Sequence, residues 1–563
     1  MKTLARQSLI RLLPLVLLCP TLLQAQTPPD AGQLRQQIER TLPPTLPPPP
    51  VPALAPPPPP PMQALDGKVL VQQFRFAGNT LVPTSALETA LAPWTRRELD
   101  FSQLQEVAAA AAALYRDAGW VVRAYLPRQE ITDGVVLIQI VEASFGGVRI
   151  EAAPGVRVSS ERLQRIVLAS QAPGQPVHAA PLDRALLLLA ELPGVRVAGS
   201  LQEGQRQGES DVALTVADAP LFGADASIDN TGSRSTGALR LSANLALNSP
   251  MGWTDQASMN FVHTEGSDFL RAAYAVPLGY GGWRMGINAS ILFYRLVNAD
   301  FESLHANGDS STTGVEFLYP LLRSRTWNLN LQASADRKYF NNTSGGATTT
   351  RYTMWVSSWG LSGSRSDQRG ISTGSVSLSG GWVDLNGSPN QEADAATTRT
   401  AGSFAKLRLS ASRTQLIDAR WSAFAMVSGQ LASKNMDSGE KLYLGGAGGV
   451  RAYPASEAGG SEGAMLNLEL RCKVIASVQL AALYDVGIVR VNRNNDFTGA
   501  ATKNSLSLQG AGLALAWAGP GGTSIKAVWS HRLGNNPNPT ASGRDQDGSL
   551  VRHRFWLTAG ISL

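Results

Sequence analysis

Apolar and polar residues alternate one by one in short segments over residues 223–563, and stretches rich in Gly, Ser, Asn and Asp separate these segments. Residues 239–248 and 283–294 place apolar side chains at nearly every second position, with mostly polar side chains between them. Successive side chains of a β-strand point to opposite faces of the sheet. The pattern therefore predicts many strands, each with one apolar and one polar face.

The polar faces of these strands decide what kind of sheet they form. They carry Asn, Ser, Gln, Arg, Lys and Asp side chains, which a dry protein core could not satisfy but a water-filled lumen can. The 343 residues from 221 to 563 allow roughly 16 strands at about 20 residues per strand and turn. We expect a transmembrane antiparallel β-barrel over residues 220–563, with a soluble multi-strand array as the alternative.

The first residues have the pattern of a secretory signal peptide. Lys2, Arg6 and Arg11 are followed by an apolar run over residues 12–23, and Ala25 offers a cleavage site, which predicts a signal peptide over residues 1–25. No later run reaches the roughly 18 apolar residues of a membrane-spanning helix, which excludes a helical membrane protein. Cleavage lowers the formal net charge from +6 to +3, so the basic balance does not imply a nucleic-acid partner.

The cysteine count excludes an internal disulfide in the mature chain. Of the two cysteines, Cys19 lies in the predicted signal peptide and Cys472 lies in the barrel region. Cys19 would also fit a lipoprotein signal, but Leu18 before it is large for such a cleavage site. Cys472 falls on the apolar side of its alternating segment, which predicts a small lipid-facing residue.

Two short segments follow the predicted signal peptide. Residues 26–42 have a helix-forming composition, with Asp30 as a possible N-cap and with Leu34 and Ile38 four residues apart, which predicts one short helix. Proline dominates the linker at residues 43–66, which predicts an extended, semi-rigid spacer of about 3.1 Å per residue. The helix is a candidate plug held away from the next domain by the spacer, and the alternative is a leader without a role.

Residues 67–143 and 144–219 repeat one pattern of elements. The first copy predicts a strand, two helices and two strands at 69–76, 84–91, 102–118, 119–126 and 135–141. The second copy predicts the same order at 147–152, 159–168, 182–192, 195–201 and 211–216. Such β-α-α-β-β units form small α+β modules with helices on one face of a sheet. Each sheet leaves an edge that an extended chain could join.

One stretch of the barrel region departs from alternation. Residues 442–454 are rich in glycine, which permits positive φ and close backbone approach in a tightly folded loop. The stretch lacks the flanking strand, the following helix and the acidic partner of a dinucleotide-binding loop. It contains one charged residue, Arg451. Alternation over residues 478–487 turns Asp485 inward, so that it can pair with Arg451 and tether the loop to the barrel wall.

These residues resemble motifs of the two-partner secretion transporters of the Gram-negative outer membrane, also called haemolysin secretion/activation proteins. A loop motif of that family is similar to Val450, Arg451, Ala452 and Tyr453, with Ala452 where glycine is usual. A strand motif of that family is similar to the stretch containing Leu483, Asp485 and Gly487, with Leu483 in place of phenylalanine. Both substitutions leave the charged pair in place.

The resemblance implies a function and a set of partners. It implies two polypeptide-transport-associated (POTRA) domains at residues 67–143 and 144–219, and a barrel of 16 strands whose sixth loop, at about 442–464, folds into the lumen. The domains would bind a large secreted adhesin, haemolysin or toxin-like protein in the periplasm, and that protein would cross the barrel unfolded. Outer-membrane lipid and the barrel assembly machinery would be further partners.

Three other classes of protein compete with this interpretation. An outer-membrane enzyme is disfavoured because no nucleophile and base pair, metal cluster or cofactor motif is recognisable, so we expect no catalytic residue, cofactor or metal. The histidines are scattered singly, at His178, His263, His305, His531 and His553. An assembly insertase of the same superfamily would share the modules, loop motif and barrel, but usually carries more modules. A passive porin needs neither modules nor spacer.

Overall fold

The computed structural model describes residues 28–41, 67–455, 457–540 and 542–563. The predicted signal peptide at 1–25 and the proline-rich linker at 43–66 lie outside the described residues. The described part of the first module begins at residue 67. No helix in the described ranges combines the length and apolar character needed to cross a membrane. The first described element is helix α1, Ala31–Glu39, whose N-cap Asp30 accepts a hydrogen bond from the Gln33 amide.

The first module contains a three-stranded sheet covered by two helices. The elements are β1 Val69–Val71, β2 Gln73–Ala77, α2 Thr84–Leu91, β3 Arg97–Leu99, α3 Phe101–Asp117, β4 Val122–Tyr125 and β5 Val135–Glu142. The central strand β5 pairs in parallel with β2 and antiparallel with β4, and β1 pairs with β3 in a separate two-stranded sheet. Its core is built from the apolar faces of these elements, including Phe74, Leu87, Leu104, Tyr115 and Ile138.

The structure divides the strand predicted over residues 69–76. Val69 pairs with Leu99 in one sheet, whereas Gln73 pairs with Val135 in the other, so the chain changes partner at Gln72. The Gln72 amide donates to the Gly134 carbonyl at 2.8 Å. Alternation along one segment cannot reveal a change of neighbour, because both strands keep the same period.

The elements of the second module are β6 Ser144–Ala152, α4 Ser160–Ser170, α5 Ala179–Ala190, β7 Val195–Glu203 and β8 Glu209–Asp218. Its three-stranded sheet has the same arrangement as that of the first module, with the central strand β8 parallel to β6 and antiparallel to β7. Helix α5 begins earlier than the predicted residue 182. The His178 ring accepts a hydrogen bond from the Ala180 amide, and Pro181 is tolerated because it lies in the first turn.

Sixteen strands close an antiparallel barrel, which confirms the predicted fold. Each pairs with its neighbours in the chain, and the last strand pairs with the first. They are β9 Phe222–Asp229, β10 Arg240–Asn248, β11 Gln256–Thr264, β12 Ser267–Leu278, β13 Trp283–Arg295, β14 Asn307–Arg323, β15 Trp327–Ser344, β16 Ala347–Asp367, β17 Gly370–Asp384, β18 Gly402–Leu416, β19 Trp421–Ala432, then β22 Glu462–Ile475, β23 Val478–Arg490, β24 Ser505–Ala518, β25 Thr523–Arg532 and β26 His553–Ser562. Between them lie helix α6 Gln391–Ala396 and two short loop strands, β20 Leu442–Tyr443 and β21 Gly459–Gly460.

The outer surface of the barrel carries its apolar side chains. Trp283, Trp355 and Trp359 are each between 41% and 59% exposed on the isolated chain, as expected for side chains that face lipid. Cys472 pairs with Trp421 and Leu480, which are both exposed, so it shares this outer face.

Arginines fix the second module beneath one end of the barrel. Arg325 and Arg323, next to the turn between β14 and β15, form ion pairs with Asp183 at 2.7 Å and Glu191 at 2.8 Å. From the module, Arg157 donates to the Asn248 carbonyl at 3.1 Å. Because these contacts surround the short turns, the longer hairpin loops lie at the opposite end of the barrel.

The last residue of β5 ties the strand to the loop before α2. The Glu142 carboxylate accepts hydrogen bonds from the Thr80 and Leu81 amides at 2.7 and 2.8 Å and from the Tyr115 hydroxyl at 2.9 Å. Partial burial works to raise the pKa of Glu142, but these hydrogen bonds outweigh burial and lower it below the usual value. Burial and the bond to Glu142 raise the pKa of Tyr115.

We expect Glu142→Gln to destabilise the first module by about 1 kcal/mol at pH 7, since charge-assisted bonds are replaced by weaker ones. Because the folded pKa is lowered, the stabilisation is complete above the unfolded pKa and is lost as pH falls through the folded pKa. Hydrogen exchange of residues 78–83 in the full-length protein, corrected for intrinsic rates, measures the difference between variant and parent. An equal difference at pH 7 and at pH 3 would contradict this account.

Candidate functional site

The loop between β19 and β22 enters the barrel lumen. It spans residues 433–461 and is the sixth of the hairpin loops at the end opposite the modules. The loop therefore begins before the predicted residue 442 and ends where β22 begins, at Glu462. Its own strands β20 and β21 pair with each other, so the segment between them forms a small hairpin with a defined tip.

Glycines allow the tip to fold back tightly on itself. Gly446 has φ of +108°, and a Cβ at Gly449 would lie 2.0 Å from the Leu444 carbonyl oxygen. The Val450 amide donates to that same carbonyl at 2.7 Å. A side chain at Gly449 would therefore break the turn that presents Arg451 to the wall.

Arg451 is buried and makes a bidentate contact with Asp485 of β23. Nε and Nη2 of Arg451 lie 2.8 and 2.7 Å from the two carboxylate oxygens of Asp485, and the Arg451 amide donates to the same carboxylate at 3.1 Å. Nη1 of Arg451 contacts the Glu469 carboxylate of β22. The guanidinium thus meets two acidic side chains of adjacent strands, and only 5% of Arg451 and none of Asp485 is exposed.

Asn467 completes the coordination of the Asp485 carboxylate. Its side-chain amide donates to Asp485 at 2.7 Å and to the Gly449 carbonyl at 2.9 Å. The alternation that predicted an inward Asp485 also places Asn467 directly opposite it in the register of β22 and β23. Every contact of this carboxylate therefore either holds the wall together or holds the loop to it.

The other residues of the two motifs pack around this ion pair. The indole of Trp556 donates to the Arg451 carbonyl at 2.7 Å, and Leu483 belongs to the same apolar cluster as Trp556. A Cβ at Gly487 would lie 2.8 Å from the Leu444 side chain, and one at Gly510 would lie 2.5 Å from Cβ of Ala452. The alanine at 452 is therefore accommodated by a glycine on the opposing wall.

Val450 and Tyr453 complete the loop motif. Both side chains are buried, and they share an apolar cluster with Leu444 and Leu508. The Tyr453 ring also faces the Arg532 guanidinium, 4.4 Å from the ring centroid, which is a favourable cation–π distance. The structure thus brings together all seven residues of the two sequence motifs.

A second group of charges fixes the base of the loop, and the sequence analysis did not identify it. Glu440 forms ion pairs with Lys338 at 2.6 Å and with Lys406. Gln430 donates to the Glu440 and Ser461 carbonyls at 3.0 and 2.9 Å. The sequence offered one indication of this group. Alternation turns Lys338 of β15 and Lys406 of β18 inward, and Glu440 is the acidic residue just before the glycine-rich stretch, so a pairing between them could have been predicted.

Helix α1 lies inside the barrel against this loop base. A Cβ at Gly32 would lie 2.7 Å from the Ser438 hydroxyl and 2.9 Å from the Gly439 amide nitrogen, so the two backbones approach closely. Gln36 donates to the Lys441 carbonyl at 2.6 Å, and Arg40 donates to the Tyr443 carbonyl at 2.8 Å. The helix also packs on the barrel wall, where Ala31, Leu34 and Ile38 belong to one apolar cluster with wall side chains that include Phe269, Leu292, Tyr294, Phe340 and Tyr352.

The arrangement is suited to holding the loop against the barrel wall. The charges of the tip are mutually satisfied, and removing one partner of a buried pair costs about 3–5 kcal/mol because the other charge stays enclosed. Within the described residues, no three or more His, Cys, Asp or Glu side chains are grouped so as to hold a metal ion. The ion pair of Arg451 and Asp485 joins the loop to the wall.

Comparison with protein families identifies the class. The model of the haemolysin secretion/activation protein ShlB/FhaC/HecB family matches residues 208–515, which is more than half of the chain. The model of the ShlB-type POTRA domain matches residues 69–143. The chain belongs to the haemolysin secretion/activation family. It is an outer-membrane transporter of a secreted protein, with its modules in the periplasm.

Two similar proteins match over most of the chain. The heme/hemopexin transporter protein HuxB of Haemophilus influenzae is 25% identical over 545 residues, which are 94% of each chain. The outer membrane transporter CdiB of Dickeya dadantii is 23% identical over 477 residues, covering 82% of this chain and 80% of the relative.

Solved structures share the fold. CdiB from Escherichia coli superposes with a TM-score of 0.67 at 19% identity, over 95% of this chain and 96% of its own. BamA from Haemophilus ducreyi, in a form lacking POTRA domains 1–3, superposes with a TM-score of 0.54 at 14% identity, over 88% of this chain and all of its own. At these identities the likeness concerns the fold alone.

We expect Gly510→Val to displace the loop tip, because its side chain would occupy the space of the Ala452 methyl group. Trypsin would then cleave the folded barrel after Arg451, which is inaccessible in the parent. The matched control is Gly374→Val on β17, where a Cβ would lie no closer than 3.7 Å to the Ser410 carbonyl oxygen, an ordinary contact distance. Protection of Arg451 in the Gly510 variant would show that the tip does not depend on this contact.

Proposed function

We propose that this protein binds a large secreted protein in the periplasm through its two modules and passes it unfolded through the barrel to the cell surface. The observation that carries the proposal is the arginine-bearing loop inside a 16-stranded barrel whose periplasmic turns contact the second module. A passive porin would require neither the loop contact nor the modules.

The modules offer places for an extended chain to bind. The first module ends its sheet at β2 and β4, and the second ends its sheet at β6 and β7. An edge strand presents backbone N–H and C=O groups that an incoming strand can pair with, largely regardless of its sequence. Backbone hydrogen bonds join the two modules: the Val121 amide donates to the Val177 carbonyl at 3.0 Å, and the Ala179 amide donates to the Gly119 carbonyl at 2.8 Å.

Transport needs a source of free energy other than nucleotide hydrolysis. The periplasm offers no ATP, and the sequence shows no nucleotide-binding loop. Folding of the exported protein outside the cell removes the unfolded species and so favours net export. The proposal therefore requires a cargo that stays unfolded until it emerges.

The ion pair of Arg451 and Asp485 would hold the loop in its working position. Both groups are buried, and the contact is bidentate, so the loop is fixed in angle as well as in place. Helix α1 would plug the resting pore, because it occupies the lumen together with the loop base. Opening the pore would then require the helix to leave Gly439 and Tyr443.

The partners follow from the class of transporter. The cargo would be a large adhesin, haemolysin or toxin-like protein, and outer-membrane lipid and the barrel assembly machinery would be required for insertion. The relatives named above are a heme/hemopexin transporter and an outer membrane transporter. The family match favours secretion over the assembly insertase, whose solved representative shares only the fold.

We expect Arg451→Ala and Asp485→Ala each to lower export of the partner protein to less than about one tenth, since either leaves an enclosed charge unpaired. The barrel should still insert, as judged by its amount in outer membranes and its resistance to unfolding in detergent without heating. The control is Arg413→Ala, which breaks the exposed pair with Asp367 and should leave export unchanged. Normal export by both single variants would falsify the assigned role.

We expect Gly32→Leu to expel helix α1 from the lumen, because the added side chain would overlap Ser438 and Gly439. Single-channel conductance in planar bilayers should rise. If the substitution destabilises the plugged state by roughly 1.4 kcal/mol relative to the open state, the ratio of open to plugged channels becomes about tenfold larger. The control is Gln33→Ala, a partly exposed neighbour in the same helix. Equal conductance of the Gly32 variant and the parent would argue against a plug.

A further inference from the structure

An arginine on the outer surface of the barrel has no anionic partner within the described residues. Arg337 of β15 lies directly opposite Trp355 of β16 and Thr313 of β14. Directly opposite residues share one face of a sheet, and Trp355 is 56% exposed on the outer face. The Arg337 guanidinium lies 5.7 Å from the centroid of the Trp355 ring, so it points outward, toward lipid.

The position of Arg337 along its strand places it near the extracellular border of the membrane. β15 begins at Trp327, next to the turn that contacts the second module, and runs to Ser344. Ten residues of a strand tilted by about 45° rise roughly 23 Å, compared with an apolar band about 25 Å tall. The guanidinium therefore lies where the headgroups of the outer leaflet begin.

A second outward arginine lies farther along the same face. Arg351 of β16 is opposite Asn341, which lies four residues beyond Arg337, or about 13 Å along the strand. Tyr339 and Thr353 face each other between the two arginines. We define the outer arginine patch as Arg337, Tyr339, Arg351, Trp355 and Trp382, the last of which is opposite Trp355 on β17.

The chemistry of the patch selects an anion at the membrane surface. The Arg351 guanidinium donates to the Thr348 hydroxyl at 3.3 Å and forms no ion pair among the described residues. Two acids share this outer face. Asp309 of β14 accepts a hydrogen bond from Asn341 at 2.9 Å, so an uncharged residue separates it from Arg351. Asp384 of β17 lies opposite Thr353, accepts a hydrogen bond from the Asn386 amide at 3.1 Å and forms no ion pair among the described residues. An unpaired arginine beside lipid is costly, whereas its fork of donors fits phosphate oxygens.

We propose that the outer arginine patch is a binding site for lipopolysaccharide of the outer leaflet, which it recognises through the phosphates of lipid A. The two separated arginines each contact a phosphate, and the tryptophans lie at the border of headgroups and acyl chains, where indole rings are favoured. This inference rests on the outer-membrane location of the barrel and is independent of the proposed transport mechanism.

The test uses full-length protein purified in detergent, freed of lipid and titrated with bis-phosphorylated lipid A, with bound lipid counted by native mass spectrometry. We expect affinity to fall roughly fivefold in Arg337→Gln and in Arg351→Gln, and about 25-fold in the double variant. Arg337→Lys should lie between the parent and Arg337→Gln. The matched control is Arg365→Gln, because Arg365 faces Trp327 on the same two strands near the periplasmic end.

Several results would overturn the assignment. One is unchanged binding by the double variant, and another is an equal loss in the Arg365 variant. Equal affinity of the parent protein for lipid A with and without its phosphates would show that the arginines do not bind the phosphates. Displacement of lipid A by millimolar inorganic phosphate would show that the patch recognises free phosphate rather than a lipid.

Discussion

The organisation of this barrel depends on a guanidinium that is enclosed in its lumen. A charge in such a place is tolerated only where acidic groups meet it with good geometry, and Arg451 meets both Asp485 and Glu469. The requirement extends to residues without charge. Glycines at 446 and 449 let the chain turn sharply, and Trp556 binds the carbonyl of the arginine itself.

The loop also couples the barrel wall to the N-terminal helix. Its tip is fixed by Arg451 and its base by Glu440, while helix α1 packs on Gly439 between these anchors and the wall. Displacing the helix would expose the Lys441 and Tyr443 carbonyls that Gln36 and Arg40 now satisfy. Since an unsatisfied buried polar group is costly, water or cargo must replace these contacts when the lumen opens.

The outer and periplasmic surfaces use arginine in different ways. At the periplasmic end, Arg323 and Arg325 meet carboxylates of the second module and so orient it beneath the barrel. On the lipid-facing side, Arg337 has only an aromatic ring as its partner among the described residues. Protein therefore supplies the counter-charge in the first case, and the membrane must supply it in the second.

Local periodicity by itself predicted a barrel of alternating strands, the repeated β-α-α-β-β order and the inward position of Asp485, because these follow from geometry within one segment. The sequence also singled out Arg451 as the one charge in a glycine-rich stretch. Only the tertiary structure decided that Glu469 and Trp556 join it, that Glu440 anchors the loop base, and that strand pairing changes at Gln72. These contacts join distant segments, and alternation within a segment carries no information about which neighbour closes on it.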